Sequence, residues 1–314
     1  MSLERALELA ERGRGQVEHT HPLVGAVLVH GPDVVGEGWY AGGGSPHAEI
    51  VALEQAGERA RGATLYVTLE PCSHHGATPP CADAIVAAGV AQVLAAAVDP
   101  NPKVDGRGLE RLREGGVEVE VVDSWEARLQ NAAWRVWIAH GRPFVTYKVA
   151  TTLDGRVAVP GSRWVSGEES RRRVHELRAA SDAVAVGMGT VRADDPALTA
   201  RDVGAVRQPR RLAFGGGPLP EGSELELRSG SLEDELAALG GEGVQTLLLE
   251  GGPTLAGAFL AADLVDKLLV FVAPTLAGGA TGPVAALPEP KALSRLSAEP
   301  IGHDVLLEAY VHEP

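Results

Sequence analysis

The chain holds only two cysteines, Cys72 and Cys81, and each directly follows a proline. Upstream stand His47 and Glu49, separated by Ala48. One imidazole and two thiolates fill three positions of a tetrahedral zinc site and leave the fourth for water, the ligand count of a catalytic rather than a structural zinc. Zinc lowers the pKa of water it binds, which makes a nucleophile near neutral pH. Glu49 can then sit beside the metal-bound water rather than on the metal, where a carboxylate can carry a proton. Zinc nucleobase deaminases share this His-x-Glu and Pro-Cys arrangement, although their usual spacing is Cys-x-x-Cys. Here eight residues intervene between the cysteines, so the general signature matches in part. A disulfide is the alternative use of two cysteines, and a cytoplasmic setting disfavours it. A zinc that merely staples the fold is another, but it has no use for Glu49.

These residues need elements to position them. Leu3 to Glu11 reads as an amphipathic helix, Val24 to His30 and Val34 to Trp39 as a strand hairpin, and His47 to Ala60 as a helix. Thr64 to Leu69 reads as a strand. Cys81 to Ala88 reads as a helix begun by Pro79-Pro80. Strands at 90–98 and 117–122 flank a helix at 108–114, and a helix near 126–140 closes the first half. Both cysteines and His47 thus fall at element ends, and helix N-termini favour thiolates. Gly141-Arg142-Pro143 marks a boundary, which predicts domains at 1–142 and 143–314. The second half alternates again: strand 144–150, helix 168–180, strand 183–186, strand 246–249, helix 254–261, strand 268–272. Gly215-Gly216-Gly217 and the stretch from Pro283 to Pro290 read as surface loops. The class is α/β in both halves.

Net charge is −14 and evenly spread, with 28 Lys+Arg against 42 Asp+Glu. A nucleic-acid binder needs a basic face to release counterions. The only basic cluster, Arg171, Arg172, Arg173 and Arg178, reads as a solvated helix face or a site for a small phosphorylated ligand. No apolar run reaches the length of a membrane span, and the first residues lack the pattern of a secretory signal. The expectation is a cytoplasmic enzyme acting on a small molecule, with no nucleic acid and no membrane partner; a homo-oligomer stays open. Gly251-Gly252-Pro253-Thr254, between strand and helix, can receive a cofactor phosphate on backbone N–H groups, or be an ordinary turn. No Rossmann glycine fingerprint is present.

The run Pro71-Cys72-Ser73-His74-His75-Gly76-Ala77-Thr78-Pro79-Pro80-Cys81 closely resembles the bifunctional riboflavin-biosynthesis deaminase–reductases of the RibD type, in which the longer cysteine spacing is usual. Asp99-Pro100-Asn101-Pro102 with Gly106 and Gly108 agrees. So do the segments 148–156, 190–199 and 250–255 of the second half, so the resemblance covers nearly the whole chain. It implies a cytidine-deaminase-like three-layer domain followed by a dihydrofolate-reductase-like α/β domain. It also implies two steps: zinc-dependent deamination of a diamino-pyrimidinone ribosylamine phosphate, then NADPH-dependent reduction of its ribosyl group to ribityl. By resemblance, Ala150, Trp164, Thr190 and Asp194 contact the nicotinamide cofactor, together with Gly252, Pro253, Thr254, Leu255, Ala256, Gly257 and Ala258. Lys148, Ser162, Arg178, Leu198, Arg201 and Glu250 contact the substrate. Three pocket positions depart from the family's pattern: His21 stands for Asn, Tyr40 for His, and Ala77 for Lys or Arg. Gly216 stands where a small hydroxyl is common near the cofactor. Rival readings are a deaminase of polynucleotides or free nucleosides, and a non-catalytic zinc module joined to a nucleotide-binding domain.

Overall fold

The computed structural model describes residues 2–17, 20–74, 79–102, 104–279, 282–285 and 287–314. Two compact units are resolved, Met1–His140 with Pro314, and Gly141–Glu313. No helix among the described residues is long and apolar enough to cross a membrane.

The first unit begins with α1 (Ser2–Glu11), then the hairpin β1 (Gly25–His30) and β2 (Asp33–Trp39). There follow α2 (Ala48–Ala56), β3 (Thr64–Val67), α3 (Cys81–Ala88), β4 (Gln92–Ala95), α4 (Arg107–Glu114), β5 (Glu118–Val121), α5 (Trp125–Gln130) and α6 (Ala132–His140). The five strands lie in the order β2-β1-β3-β4-β5. β1 is antiparallel to both neighbours, and β3, β4 and β5 run parallel. One face buries Leu28, Leu65 and Val93 against Ala52, Ile85 and Leu112 of α2, α3 and α4. The other buries Val27 against Ala6 and Leu9 of α1. Burial on both faces explains why the interior strand β1 reads as an apolar run, whereas the edge strand β5, Glu-Val-Glu-Val, alternates and is mostly exposed.

α2 lies flush on the hairpin because Gly38 has no side chain: a Cβ there would come within 2.2 Å of the Ala48 carbonyl oxygen. The expected helix at 47–60 is therefore shorter. His47 is its extended N-cap, and it ends at Gly57 (φ 55°), after which 57–60 form a 3-10 turn. The expected single helix near 126–140 breaks at Asn131. Its buried side chain accepts from Leu23 N (2.8 Å) and donates through Nδ2 to Leu23 O (2.9 Å), fixing the segment that carries His21.

The second unit runs β6 (Phe144–Thr152), α7 (Glu168–Ala180), β7 (Ala183–Gly187), α8 (Met188–Asp194), β8 (Arg210–Phe214), β9 (Glu226–Arg228), α9 (Leu232–Gly241), β10 (Thr246–Leu249), α10 (Pro253–Ala261), β11 (Lys267–Ala273), β12 (Ser294–Ile301) and β13 (Asp304–Tyr310). Its eight strands lie in the order β12-β13-β11-β6-β10-β7-β8-β9, parallel from β11 to β9 and antiparallel at the other end. Leu236, Leu239, Phe259 and Leu260 of α9 and α10 pack on one face. Val174 of α7 and Val191 of α8 pack on the other. Sequence periodicity missed α8, β8, β9, α9 and the β12–β13 hairpin. The first four elements are short or carry a weak apolar pattern, and β12 is exposed along most of its length.

Candidate active site

The metal-ligand atoms of His47, Cys72 and Cys81 lie within 4.8 Å of one another. His47 precedes α2, Cys72 follows β3, and Cys81 opens α3, so three elements deliver one donor each. The nitrogen facing the sulfurs is Nδ1, 3.2 Å from Cys81 Sγ and 3.7 Å from Cys72 Sγ. The Cys81 backbone N–H donates to Cys72 Sγ at 3.4 Å, supporting a thiolate there. Hydrogen bonding from Cys81 holds Cys72 down at about 4, and the same pairing with burial pushes Cys81 far up. The negative charge thus rests on Cys72, and a divalent cation would let both sulfurs ionise. One nitrogen and two sulfurs within a few ångströms fit zinc.

Glu49 points into the same cleft and is 3% exposed. Burial pushes its carboxyl up to about 7, so it can hold a proton near neutrality. The cleft, of about 520 Å³, is also lined by His21, Tyr40, His74, Asp99, Asn101 and Trp134. Tyr40 is buried and stands edge-on to His47 with ring centroids 5.7 Å apart, and His21 leans on Tyr40 at 5.6 Å. The two departures at 21 and 40 therefore touch each other and one metal ligand. Ala77 and His75 lie outside the described residues. No lysine or arginine lines the cleft among the described residues.

Glu70 is a functional support that sequence reasoning missed. It is 4% exposed, and its carboxylate accepts from the backbone N–H groups of Asp99 (3.2 Å), Gly106 (3.0 Å), Gly108 (2.8 Å) and Leu109 (3.4 Å). It clamps the start of α4 and the 99–108 loop against the strand end that leads to Cys72. A Cβ on Gly108 would fall 1.8 Å from the Pro71 carbonyl oxygen, so only glycine fits. The glycines of the 99–108 motif were the available signal. Burial also pushes Asp99 up to about 6.

In the second unit Glu250, just past β10, joins Lys148 of β6 to Arg178 of α7. Lys148 Nζ is 3.3 Å from Glu250 Oε2, and Arg178 binds both carboxylate oxygens, at 2.6 and 3.0 Å. The buried charge of Lys148 thus has an anionic partner within the protein. Arg178 Nη1 also donates to Thr199 O at 3.1 Å, tying in the loop of Leu198 and Arg201, whose N–H meets His175 Nδ1 at 3.2 Å. Ser162 and Trp164 sit apart on an exposed loop, bonded to each other, with Trp164 between the guanidinium groups of Arg163 and Arg171. Ala150 lies on β6. Thr190 faces Gly252, where a Cβ would be 3.6 Å from its Oγ1. Asp194 ends α8, exposed and without an ion pair to the Glu250 cluster among the described residues. Gly252 caps α10 with no side-chain hydrogen bond, and Pro253 occupies its first turn. Pro253 has no N–H and the Ala256 N–H already bonds Gly252 O, so the N–H groups this helix start can offer a dinucleotide phosphate are those of Gly252, Thr254 and Leu255.

Residues 2–97 match the family model for the cytidine and deoxycytidylate deaminase zinc-binding region. Residues 143–216 and 223–307 match the RibD C-terminal domain. The riboflavin biosynthesis protein RibD of Aquifex aeolicus is 41% identical, covering 88% of this chain and 87% of that one; its Escherichia coli counterpart is 40% identical over 91% and 90%. A solved structure of Acinetobacter baumannii RibD superposes with a TM-score of 0.80 at 36% identity, covering 98% of this chain and 97% of that one. A Thermotoga maritima diaminohydroxyphosphoribosylaminopyrimidine deaminase/5-amino-6-(5-phosphoribosylamino)uracil reductase superposes at 0.77 with 33% identity, again over 98% and 97%. The zinc triad beside a buried glutamate in one unit, the cationic cluster beside an uncapped helix in the other, and likeness across the whole chain lead to one conclusion: this protein belongs to the RibD family.

Proposed function

We infer that the chain is the bifunctional deaminase–reductase of riboflavin biosynthesis. Its first reaction replaces the 2-amino group of 2,5-diamino-6-(5-phosphoribosylamino)pyrimidin-4-one by oxygen and releases ammonia. Its second reduces the ribosyl group to ribityl with NADPH. The observation that carries this reading is the buried Glu49 beside a His/Cys/Cys donor set in an open cleft, because a structural zinc has no use for such an acid.

His47, Cys72 and Cys81 hold the zinc, which when bound supplies Lewis-acid activation of water. Glu49 would take one proton from the attacking water and give it to the ring nitrogen, then carry the remaining proton of the new hydroxyl to the departing amine, so that ammonia leaves and a carbonyl remains. Tyr40 braces the His47 ring edge-on and restricts its rotation. With no lysine or arginine lining the cleft among the described residues, His21 is the side chain we assign to the substrate phosphate. A small phosphorylated pyrimidine fits such a cleft; a polynucleotide would need a basic track.

In the second unit NADPH, when bound, would supply the hydride. Lys148 and Arg178 hold the substrate's ribose and phosphate, and Glu250 fixes both cations in place. Ser162, Leu198 and Arg201 complete the substrate side. Ala150, Trp164, Thr190, Asp194 and residues 252–258 form the cofactor side. The boundary between the two domains falls near residue 142, and the enzyme works in the cytoplasm. Incubation with the diamino-pyrimidinone phosphate, followed by mass spectrometry, tests the reading. Without NADPH the product should carry oxygen in place of one amine; with NADPH it should gain two further hydrogens. Unchanged substrate in both arms would refute it.

A further inference from the structure

The parallel strands of the second unit reach one sheet edge in the order β6, β10, β7, β8. Open α/β sheets bind ligands in the crevice beyond the C-terminal ends of their strands. Lys148 and Ala150 stand on β6, Gly252 and α10 follow β10, Thr190 follows β7, and Gly215-Gly216-Gly217 follow β8. With the hydride acceptor held by the cationic cluster, the nicotinamide end would lie toward β6. A dinucleotide with its pyrophosphate on the start of α10 would then run past β7, and the strand order would bring its adenosine ribose toward the end of β8.

A cation stands at that place. Arg192 of α8 is exposed, and its Nη2 donates to Gly216 O at 2.7 Å. It forms no ion pair among the described residues, and that is its only hydrogen bond there. The glycine loop beside it is low: nothing lies within 4 Å of where a Cβ on Gly216 would be. The loop carbonyl aims the guanidinium, while its other N–H groups remain free for a ligand. The adenosine 2′-phosphate is the only chemical difference between NADPH and NADH, and a guanidinium binds phosphate through paired, charge-assisted hydrogen bonds. We propose that Arg192, held by the carbonyl of Gly216, reads the 2′-phosphate and sets the preference for NADPH over NADH. The proposal rests on the reductase reading above.

The test is calorimetric titration of the full chain with NADPH, NADH, adenosine 2′,5′-bisphosphate and adenosine 5′-monophosphate. Wild type should bind NADPH at least about tenfold tighter than NADH, the effect of one charge-assisted contact. Arg192→Gln should erase that ratio and weaken the bisphosphate by the same factor, leaving the monophosphate unchanged; Arg192→Lys should recover part of it. An unchanged ratio in Arg192→Gln overturns the proposal. So does an equal loss for all four ligands, which would make Arg192 a brace for the glycine loop. A wild-type chain that binds neither NADPH nor NADH would overturn the reductase reading itself, and this inference with it.

Discussion

Glu250→Gln isolates the charge balance of the reductase cluster while keeping its shape. The glutamate side chain is 8% exposed, and its partners Lys148 and Arg178 are 16% and 14% exposed. Burial alone would push the Glu250 carboxyl up. The nearby Lys148 charge and the two Arg178 hydrogen bonds outweigh it and hold the group at about 2, against an ordinary 4.5. At 1.36 kcal/mol per unit, the carboxylate contributes about 3 kcal/mol to the folded state. Removing one partner of a buried ion cluster independently suggests about 3–5 kcal/mol, because the remaining charges stay buried and uncompensated. Glutamine keeps one acceptor, so a loss near 3 kcal/mol is expected.

Hydrogen exchange read by mass spectrometry on peptides from β6 and β10 reports this unit without interference from the other. The sign with pH follows from the direction of the shift. A depressed carboxylate contributes fully above its unfolded value, near 4.5, and loses its contribution as pH falls through about 2. The difference between wild type and variant should therefore be flat from about pH 5 to 8, above both values. A difference below about 1 kcal/mol at pH 7, the worth of an exposed pair, would refute the buried-cluster reasoning. So would a difference that changes steadily across the flat window.

Cys72→Ser and Cys81→Ser should each lose bound zinc by elemental analysis and lose deamination, while reduction of the pre-deaminated substrate survives; full zinc in either variant would remove that residue from the ligand set. Glu49→Gln should keep zinc yet lose deamination by about 100-fold or more, the scale of a positioned general acid–base, since an amide cannot shuttle protons. Gly108→Ala must displace Pro71, whose carbonyl oxygen would lie 1.8 Å from the new Cβ. It should cost about 1–3 kcal/mol, as overpacking does, and weaken zinc retention against a chelator through the shift of Cys72; wild-type retention would show that the 99–108 loop does not position the metal site.

The deaminase site is legible in the sequence because its chemistry uses rare residues. The chain has two cysteines, each after a proline, and Glu49 follows His47 by two positions. Residue type and spacing alone therefore name the ligand set and the acid beside it. What supports the set is not legible. Glu70 looks like a solvated acid at a strand end, yet its acceptors' partners lie 29 to 39 residues away. Asn131 sits within what reads as one continuous helix, and only its grip on Leu23, 108 residues distant, explains the break. Each is a polar side chain satisfying distant backbone groups. Hydrophobic periodicity carries no trace of such bonds.

The reductase site is less legible for a different reason. Its functional groups are a lysine, an arginine and a glutamate, residue types that usually coat surfaces, and each comes from a different element. A buried lysine needs an anionic partner, but nothing local to Lys148 points to Glu250, 102 positions away. The parallel sheet brings them together, because β6 and β10 are neighbours only after α7, β7, α8, β8, β9 and α9 have been threaded between them. The same threading sets the order of strand ends along which a dinucleotide would lie. In this unit the topology itself therefore selects which charged residues become a site, and Arg192 gains its meaning from the position of β8 at the far end of that row.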